Sequence, residues 1–451
     1  MAMKSLSKLS AKTFGQINRR INPDQTLITK AKNITQVTEE YREIKKLIDS
    51  GNKIIFVTGG AGTGKSTFVK WIESQYPGKV AITAPTGIAA LTVSGMTIHR
   101  MFKFPPAWII KSDVKIDSKS IIPKIDILII DEVSMVNANV LDSIDQSCKM
   151  HRKNQNPFGG LVVIMVGDLF QLPPIVTQNE KPMFDREYRS AKFFAAKSVS
   201  DSHSAFIELK SSFRHNDEKL IELLGNLREG QDIQNSVEQI NAFCKITNSP
   251  PQGAVFLATR NADVNEINSS ELAKLNPPEK KFYGELKGKF LEKQLPVPNE
   301  IIIRKGAQVV MTNNSKYWVN GSIGIIDSFD DEKVNVKIVR TKKIFEVRAY
   351  TWKNYEYIFN KKTNEVERQE VGTYTQMPFT LAWAMTIHKS QGLTLDKVHI
   401  DLGVGAFETG QTYVAFSRAR ALSDITMARS LRVGDILIDK EAVKFYKYMR
   451  E

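Results

Sequence analysis

Two sets of residues in this sequence have the types and spacing needed for phosphate chemistry. The first is the segment Gly59–Ser66, GGAGTGKS, which fits the pattern G-x-x-x-x-G-K-[ST]. Glycines allow successive backbone N–H groups to face one anion, and the start of a helix adds the positive end of a dipole. We therefore expect Lys65 to contact β- and γ-phosphates and Ser66 to bind Mg²⁺. A glycine-rich turn that binds nothing is the alternative.

The second set is a pair of adjacent carboxylates, Asp131 and Glu132, which directly follow the apolar residues 125–130. At the carboxyl end of a strand, both would lie where ligands of α/β sheets bind. Asp131 is predicted to hold Mg²⁺ through its water shell, and Glu132 to orient and deprotonate an attacking water. A solvated turn is the alternative for such a pair when it stands alone.

A third polar group, Gln171, follows another apolar segment, residues 161–166, in the stretch GDLFQLPP. At the end of a neighbouring strand it would face the same site, so Gln171 is predicted to sense the γ-phosphate and report its loss. The alternative is a helix start at this point, with Asp168 as its N-terminal cap.

The elements that must position these groups are visible as short, nearly continuous apolar runs, separated by helical or turn-rich sequence. Strands buried on both faces of a parallel sheet have this pattern, and the spacing indicates βα crossovers. The sequence therefore predicts two α/β units. The predicted strands are residues 54–57, 80–82, 125–130, 161–166, 254–258, 379–384 and 398–402.

Between about residues 306 and 376 the pattern changes to alternation interrupted by turn residues such as Asn320-Gly321. This predicts a small antiparallel barrel or sandwich inserted in the second α/β unit. Its predicted strands are residues 308–311, 323–326, 334–339, 344–347, 355–359 and 366–374.

Composition limits the class of protein. The chain has 451 residues, and its 42% hydrophobic content is ordinary for a folded protein. No uncharged apolar run approaches the roughly 20 residues of a membrane span. The two cysteines, Cys148 and Cys244, support neither a disulfide framework nor a zinc site, which indicates a reducing compartment.

The net charge of +14 suits a polyanionic partner, but it is unevenly distributed. Residues 1–33 hold seven basic residues and one acid, so this segment contributes 7 − 1 = +6. We interpret it as a solvated basic arm, with an organelle transit peptide as the alternative.

Further motifs give the chain a family resemblance. In chain order the motifs are GGAGTGKS at 59–66, APTGIAAL at 84–91, TIH at 97–99, DEVSM at 131–135, GDLFQLPP at 167–174, SFR at 212–214, TRN at 259–261, WVNG at 318–321, TIHKSQG at 386–392 and YVAFSRAR at 413–420. Together they resemble a superfamily-one DNA helicase of the PIF type, close to the compact bacterial members, over roughly residues 35 to 430.

The resemblance implies an α/β fold of two RecA-like domains with parallel sheets, which hold ATP and Mg²⁺ in a shared cleft. The first domain would cover residues 34–200 and carry a short wedge insertion at 99–124. The second would comprise residues 201–305 and 377–451, interrupted by an SH3-like β-barrel module at 306–376. The basic arm, residues 1–33, would precede both.

Site residues follow from the same resemblance. Arg214 and Arg418 would come from the second domain as arginine fingers, because planar guanidinium groups neutralise charge that develops on a transferring phosphoryl group. For the glutamine that reads adenine in many such helicases, Gln36 is the only nearby candidate. The implied nucleotide-binding set is Gly60, Ala61, Gly62, Thr63, Gly64, Lys65, Ser66, Thr67 and Gly392.

DNA contacts are predicted at loops that follow strands, where hydroxyl and cationic groups could bond phosphates without reading sequence. Phe102 and Phe104, in the wedge, are predicted to stack on bases, with a minor hydrophobic core as the alternative. For Trp318, barrel core and DNA contact both stay open. The phosphate-contacting set is Thr86, Thr97, His99, Thr386, His388, Lys389 and Ser390.

The implied activity is an ATP-dependent DNA helicase that moves 5′ to 3′ along single strands; the polarity comes from the resemblance alone. Single-stranded DNA and forked or tailed duplexes are the expected partners, with G-quadruplex DNA as a further candidate. A monomer in a bacterial-type cytoplasm or nucleoid is expected, and organelle import stays open. The alternatives are an RNA or RNA–DNA hybrid helicase, a non-motor phosphate-loop enzyme, and a nucleic-acid-binding module with a lost ATPase.

Overall fold

The computed structural model describes residues 37–200, 204–290 and 292–451, so the basic arm and Gln36 lie outside the described residues. The first unit of the fold precedes residue 210. Its helices are α1 Glu39–Asp49, α2 Lys65–Gln75, α3 Gly87–Thr92, α4 Ile98–Phe102, α5 Ala138–Arg152, α6 Lys181–Glu187 and α7 Lys197–Ser200, and its strands are β1 Ile54–Gly59, β2 Val80–Ala84, β3 Met96–Thr97, β4 Ile127–Ile130, β5 Val162–Val166 and β6 Ala205–Leu209.

The six strands form one parallel sheet in the order β3-β2-β4-β5-β1-β6. Strands β1, β2, β4 and β5 are buried along their whole length, which explains their continuous apolar sequences. Because β6 pairs with β1, the first sheet extends past residue 200, where the domain boundary was predicted. The predicted parallel sheet is confirmed.

A second parallel sheet follows, in the order β19-β8-β20-β21-β7. The predicted strand 379–384 is two strands in different sheets: residues 379–381 pair with the inserted module, and 384–386 with the parallel sheet. The elements of this unit are α8 Glu218–Glu229, α9 Ile233–Phe243, β7 Lys245–Ile246, β8 Val255–Ala258, α10 Asn261–Ala273, β19 Ala384–Thr386, α11 Ile387–Ser390, β20 Val398–Ile400, α12 Gln411–Phe416, β21 Ile425–Met427 and α13 Lys440–Arg450.

The inserted module is antiparallel and begins near residue 279, not at the predicted residue 306. A five-stranded sheet has the order β15-β14-β13-β12-β18, a second sheet the order β10-β17-β16, and β9 pairs with β11. The module's strands are β9 Glu279–Tyr283, β10 Glu285–Gly288, β11 Glu300–Arg304, β12 Gln308–Met311, β13 Ile323–Phe329, β14 Lys333–Ile338, β15 Ile344–Arg348, β16 Tyr350–Asn360, β17 Glu365–Gln376 and β18 Phe379–Leu381.

The long hairpin β16–β17 reaches from this module to the first unit. The Tyr357 hydroxyl accepts a hydrogen bond from the Ile82 amide at 3.0 Å, and Arg368 pairs with Glu73 at 2.5 Å. The Val366 amide donates to the Gly78 carbonyl at 3.0 Å. The hairpin therefore connects the inserted module to the first sheet.

The last helix, α13, also packs on the first unit, although the sequence predicts that it belongs to the second. Phe445 stacks on Phe194 with ring centroids 4.6 Å apart, and Lys192 pairs with Asp439 at 2.6 Å. Residues 439–450 thus return across the boundary between the units. Within the described residues, no helix has the length and apolar character needed to cross a bilayer.

Candidate functional site

The phosphate loop, Gly59–Ser66, connects β1 to α2. The helix starts after Gly64, whose φ of 87° ends the loop without a side-chain cap, so the first amides of α2 stay open. The Lys65 ammonium donates to the carbonyl oxygens of Gly59 and Gly60 at 2.8 and 3.0 Å. The side chains of Ser66 and Thr67 are exposed. The loop thus presents backbone donors, an ammonium and two hydroxyl groups in one place.

Two glycines of the loop are required by close neighbours. At Gly62, φ is 80° and an added Cβ atom would lie 2.3 Å from the Cβ atom of Arg214. At Gly64, the same atom would lie 2.9 Å from the hydroxyl oxygen of Tyr41, which donates to the Gly64 carbonyl. The loop therefore packs tightly against α1 and against the segment that follows β6.

The two carboxylates lie together at the end of β4, as predicted. Burial, and then the neighbouring Glu132, raise the pKa of Asp131 to about 7. Burial also raises the pKa of Glu132, although Lys65 opposes the shift. Glu132 has a φ of 50°, and its Oε2 atom is buried without a hydrogen-bond partner. Asp131 and Glu132 thus repel each other in a buried site beside the Lys65 ammonium. Such clusters of shifted pKa values are typical of sites that bind or transform a charged ligand.

The groups fit a hard divalent cation. Carboxylate and hydroxyl oxygens, here from Asp131 and Ser66, are the ligands that Mg²⁺ prefers, and a cation would relieve the repulsion between Asp131 and Glu132. No cluster of three or more His, Cys, Asp or Glu residues capable of enclosing a metal exists in the described parts of the chain. Water and phosphate oxygens would complete such a site, as is usual for Mg²⁺.

Gln171 lies at the boundary between the two units. Its Nε2 atom donates to Asp168 at 3.3 Å, and its Oε1 atom accepts from Gln391 of the second unit at 3.0 Å. Asp168 caps no helix and is fully buried. Its two carboxylate oxygens are bound by Arg228 at 3.0 Å and by the Tyr413 hydroxyl at 2.9 Å, both from the second unit.

Arg214 lies directly over the phosphate loop. It belongs to the link between β6 and α8, and not to the second domain proper as predicted. The amide of the preceding residue, Phe213, donates to the Gly62 carbonyl at 2.9 Å. The guanidinium donates to the carbonyls of Ser417 and Gly392 at 3.2 and 3.3 Å. In this structure the carbonyl of Gly392 is therefore a partner of Arg214.

Arg418 is only 1% exposed, and its hydrogen-bond partners all belong to the second unit. It donates to the carbonyls of Val414, Ser390 and Leu393 at 2.8 to 3.1 Å. Burial, and then the neighbouring Arg214, lower its pKa to about 9, while the Glu132 carboxylate opposes the shift. The guanidinium is thus close enough to interact electrostatically with the Glu132 carboxylate, but its hydrogen bonds hold it within the second unit.

The predicted phosphate-contacting residues fall into three groups by exposure. His388 and Lys389 are exposed, and the imidazole is nearly parallel to the exposed ring of Phe407 at a centroid distance of 6.4 Å. Thr86, Thr97 and His99 are half-buried. Thr386 and Ser390 are buried, and their hydroxyls bond the backbone of their own helix. These last two hydroxyls are not available to DNA as placed.

The aromatic residues predicted in the wedge lie in a core. Phe102 and Phe104 are 6% and 5% exposed and stack on each other at 5.4 Å. They join the same core as α5, so the core alternative replaces base stacking for both. Trp318 is also buried, and its indole nitrogen donates to Asn313 at 3.1 Å, which places it in the core of the inserted module.

Sequence reasoning missed two residues that join the units and one that supports the loop. Tyr413 lies in a motif but was given no role, although its hydroxyl accepts from the Ala61 amide at 2.9 Å. Arg228 lies within an ordinary amphipathic helix and gave no signal. Tyr41, in the first turn of α1, bonds the Gly64 carbonyl within the first unit and gave no signal either. Each contact joins residues far apart in sequence, and only the packed structure reveals it.

Comparisons with known proteins agree with this geometry. A family model described as PIF1-like helicase matches residues 35–249. The rat protein named ATP-dependent DNA helicase PIF1 is 32% identical over 443 residues; the match covers 92% of this chain and 64% of the rat protein. The chain thus spans somewhat less than two thirds of the length of that relative.

Solved structures are similar over nearly the whole described fold. Pif1 from Bacteroides sp. in complex with ADP-AlF4 is 32% identical, with a TM-score of 0.86 over 92% of this chain and 97% of that one. Bacteroides Pif1 bound to ssDNA is 33% identical, with a TM-score of 0.65 over the same shares of the two chains.

Proposed function

This chain belongs to the PIF1-like helicase family, and we propose that it is an ATP-dependent DNA helicase that translocates 5′ to 3′ on single-stranded DNA and unwinds duplexes. The observation that carries the proposal is the junction at the phosphate loop. There, Ala61 of the first unit bonds Tyr413 of the second, and Arg214 over the loop bonds Ser417. Hydrolysis at such a junction is coupled to movement of one domain against the other.

The residues of this chain divide the work at the nucleotide. Loop amides and Lys65 bind and orient the phosphates, and Arg214 lies where it can neutralise charge that develops on the transferring group. Glu132 accepts a proton from the attacking water, since its raised pKa keeps it basic enough to do so. Ser66 and Asp131 would hold Mg²⁺, which would supply positive charge to the phosphates.

Arg418 completes the set in this proposal. Its donors are bonded to carbonyls of its own domain, so a rotation of its side chain must accompany contact with a phosphate. That requirement links full activity to a change at the boundary, which the binding of a DNA strand would bring about.

The proposed DNA surface is the exposed part of α11 and the adjoining loop. Lys389 supplies a cation for phosphates, and His388 and Phe407 supply flat faces for bases. Contacts of this kind bind a strand without reading its sequence, as a motor requires. We propose single-stranded DNA and forked or tailed duplexes as substrates, and a monomer as the working form.

Strand displacement from two partial duplexes that differ only in which end carries the single-stranded tail tests this function. We expect unwinding with a 5′ tail, dependent on ATP and Mg²⁺, and ATPase stimulated by oligo-dT. Unwinding with a 3′ tail alone contradicts the polarity. Stronger stimulation by oligo-U than by oligo-dT favours the RNA-helicase alternative, and ATPase that no nucleic acid stimulates contradicts the motor.

A further inference from the structure

The hydroxyl of Tyr413 occupies an unusual position between the two units. It belongs to α12 of the second unit, yet both its bonds reach the first. It accepts from the backbone amide of Ala61 in the phosphate loop at 2.9 Å and donates to Oδ2 of Asp168 at 2.9 Å. The side chain is 3% exposed. Burial raises the pKa of Tyr413 well above its ordinary value, so the hydroxyl keeps the proton that it donates.

Asp168 continues this chain of contacts back into the second unit. Its other oxygen, Oδ1, is bound by Nε of Arg228 in α8 at 3.0 Å, and Arg228 also pairs with Glu208 of β6 at 3.1 Å. Burial alone would raise the pKa of Asp168, but the guanidinium and then Lys65 hold it below its ordinary value. The loop amide, Tyr413, Asp168 and Arg228 therefore form one buried network that crosses the boundary between the units three times.

The helix that carries Tyr413 leads directly to the arginines. The Ser417 amide donates to the Tyr413 carbonyl at 2.9 Å, and Arg418 bonds the carbonyl of Val414 at 2.8 Å. Arg214 donates to the Ser417 carbonyl at 3.2 Å. Because α12 is short and fully buried, a displacement of Tyr413 moves Ser417 and Arg418 with it.

We propose that Tyr413 is a positioning residue that couples the phosphate loop to the arginine-bearing segment of the second domain. Its hydrogen bond with the Ala61 amide depends on the conformation of the phosphate loop. Its hydrogen bond with Asp168, which Arg228 also binds, fixes the position of α12 relative to the first unit. It acts through Arg418 and the loop, and not on the nucleotide as a catalytic residue. This inference rests on the proposed function, because it assigns the network to ATP hydrolysis.

A variant that lacks only the hydroxyl of Tyr413 distinguishes the positioning role of that hydroxyl from the packing of the ring. The Tyr413→Phe variant keeps the ring, which belongs to the same buried apolar cluster as Ala61 and Leu172, but leaves the Ala61 amide and one oxygen of Asp168 without the hydroxyl. Tyr446→Phe is the matched control, because it also removes a buried hydroxyl from the network. The hydroxyl of Tyr446 bonds Glu208 at 2.5 Å and Arg228 at 3.4 Å, on the side away from the loop.

The first measurement needs no activity. Hydrogen exchange of the peptide that contains residues 59–66 is followed in the nucleotide-free full chain. We expect faster exchange in Tyr413→Phe than in the wild type, and wild-type exchange in Tyr446→Phe. Equal exchange in the wild type and Tyr413→Phe overturns the proposal.

The second measurement is kinetic. In the presence of saturating oligo-dT, we expect Tyr413→Phe to lower kcat about tenfold, equivalent to about 1.4 kcal/mol. The Kd for ADP should stay within about twofold of the wild-type value, because the loop itself holds the phosphates. Equal losses of kcat and thermal stability in both variants indicate a structural role and overturn the proposal. A wild-type chain without ATPase contradicts the proposed function instead, and the exchange measurement then decides the role of Tyr413.

Discussion

Charged side chains around the phosphate loop are buried together, and each changes the titration of the others. Burial lowers the pKa of Lys65, while Asp168 and Glu132 oppose the shift. The same burial raises the pKa values of Asp131 and Glu132. Burial of both positive and negative groups costs desolvation free energy. A ligand that brings both phosphate and a cation would offset that cost by pairing with them.

Glu132 gives the most direct test of the chemistry at this scale. Glu132→Gln keeps the size of the side chain but removes the base, so we expect kcat for ATP to fall by about 10²- to 10⁴-fold. Nucleotide affinity should be retained, as measured by equilibrium binding of ADP. Glu43→Gln, at an exposed position of α1, is the control and should leave kcat unchanged. Hydrolysis by Glu132→Gln at the wild-type rate would exclude the proposed role.

The raised pKa of Asp131 should make the free energy of unfolding depend on pH. Its pKa is raised from 3.8 to about 7, so the protonated form is favoured in the folded state. The stability that this preference contributes is present in full below about pH 4 and is lost as the pH rises through about 7. Asp131→Asn stays neutral and should not show this loss.

Thermal denaturation between pH 4 and 8, without divalent cations, measures the effect. The Tm of Asp131→Asn relative to the wild type should increase as the pH rises, by about 2–4 °C for each kcal/mol. Asp126→Asn, at an exposed carboxylate before the same strand, should follow the wild type. Parallel curves for Asp131→Asn and the wild type contradict the prediction.

The sequence predicted the loop and the two carboxylates because each directly follows a buried apolar strand, and strand ends meet at one edge of a parallel sheet. It could not predict the bond between Tyr413 and Asp168, which joins residues 245 positions apart. That contact depends on how the two units dock, and no local pattern encodes docking.

At the scale of elements, the strand patterns located the strands of the inserted module after residue 306, but not β9 to β11 before it and not the partners of its strands. Alternating residues identify β16 and β17, yet nothing in the alternation indicates that their far end binds the first unit through Tyr357 and Arg368. The run at 379–384 was one predicted strand for a related reason. Apolar sequence continues while the chain passes from β18 in one sheet to β19 in another.

Tyr357 tests whether this docking stabilises the fold. Tyr357→Phe leaves the amide of Ile82 without its hydroxyl partner, which should cost about 1–3 kcal/mol. Urea denaturation measures the loss, and hydrogen exchange at Ile82 localises it. Tyr355→Phe, on the same strand of the hairpin, is the matched control. An unchanged midpoint together with unchanged exchange at Ile82 would show that the hydroxyl contributes nothing to docking.

At the scale of the whole molecule, the two units meet at one boundary. The hairpin β16–β17 and the helix α13 contact the first unit and stabilise this boundary. Three structural features cross it: the network at Asp168, the hairpin β16–β17 and the return of α13. A motor needs a boundary that is specific yet able to rearrange. Polar contacts suit this need because hydrogen bonds can exchange partners without exposing a large apolar surface.

Binding of a DNA strand at α11 should depend on salt, because phosphate contacts release counterions. Lys389 is exposed beside His388, so Lys389→Ala should weaken binding to single-stranded DNA of every sequence alike. It should also reduce the slope of log K against log salt concentration by about 0.7. Fluorescence anisotropy with labelled oligo-dT between 50 and 200 mM salt, a range over which such contacts respond strongly, measures both effects.

Lys181→Ala removes a charge that is also exposed, from the start of α6, and is the control. If the two variants lower the slope equally, the protein's overall charge and not a contact at α11 governs binding. If Lys389→Ala leaves the slope unchanged while Lys181→Ala lowers it, the strand follows another surface. A reduced slope in Lys389→Ala alone places the DNA strand next to α11. The last residue of that helix is Ser390, whose carbonyl accepts a hydrogen bond from Arg418. DNA at that helix would then act on Arg418 through a single turn of backbone.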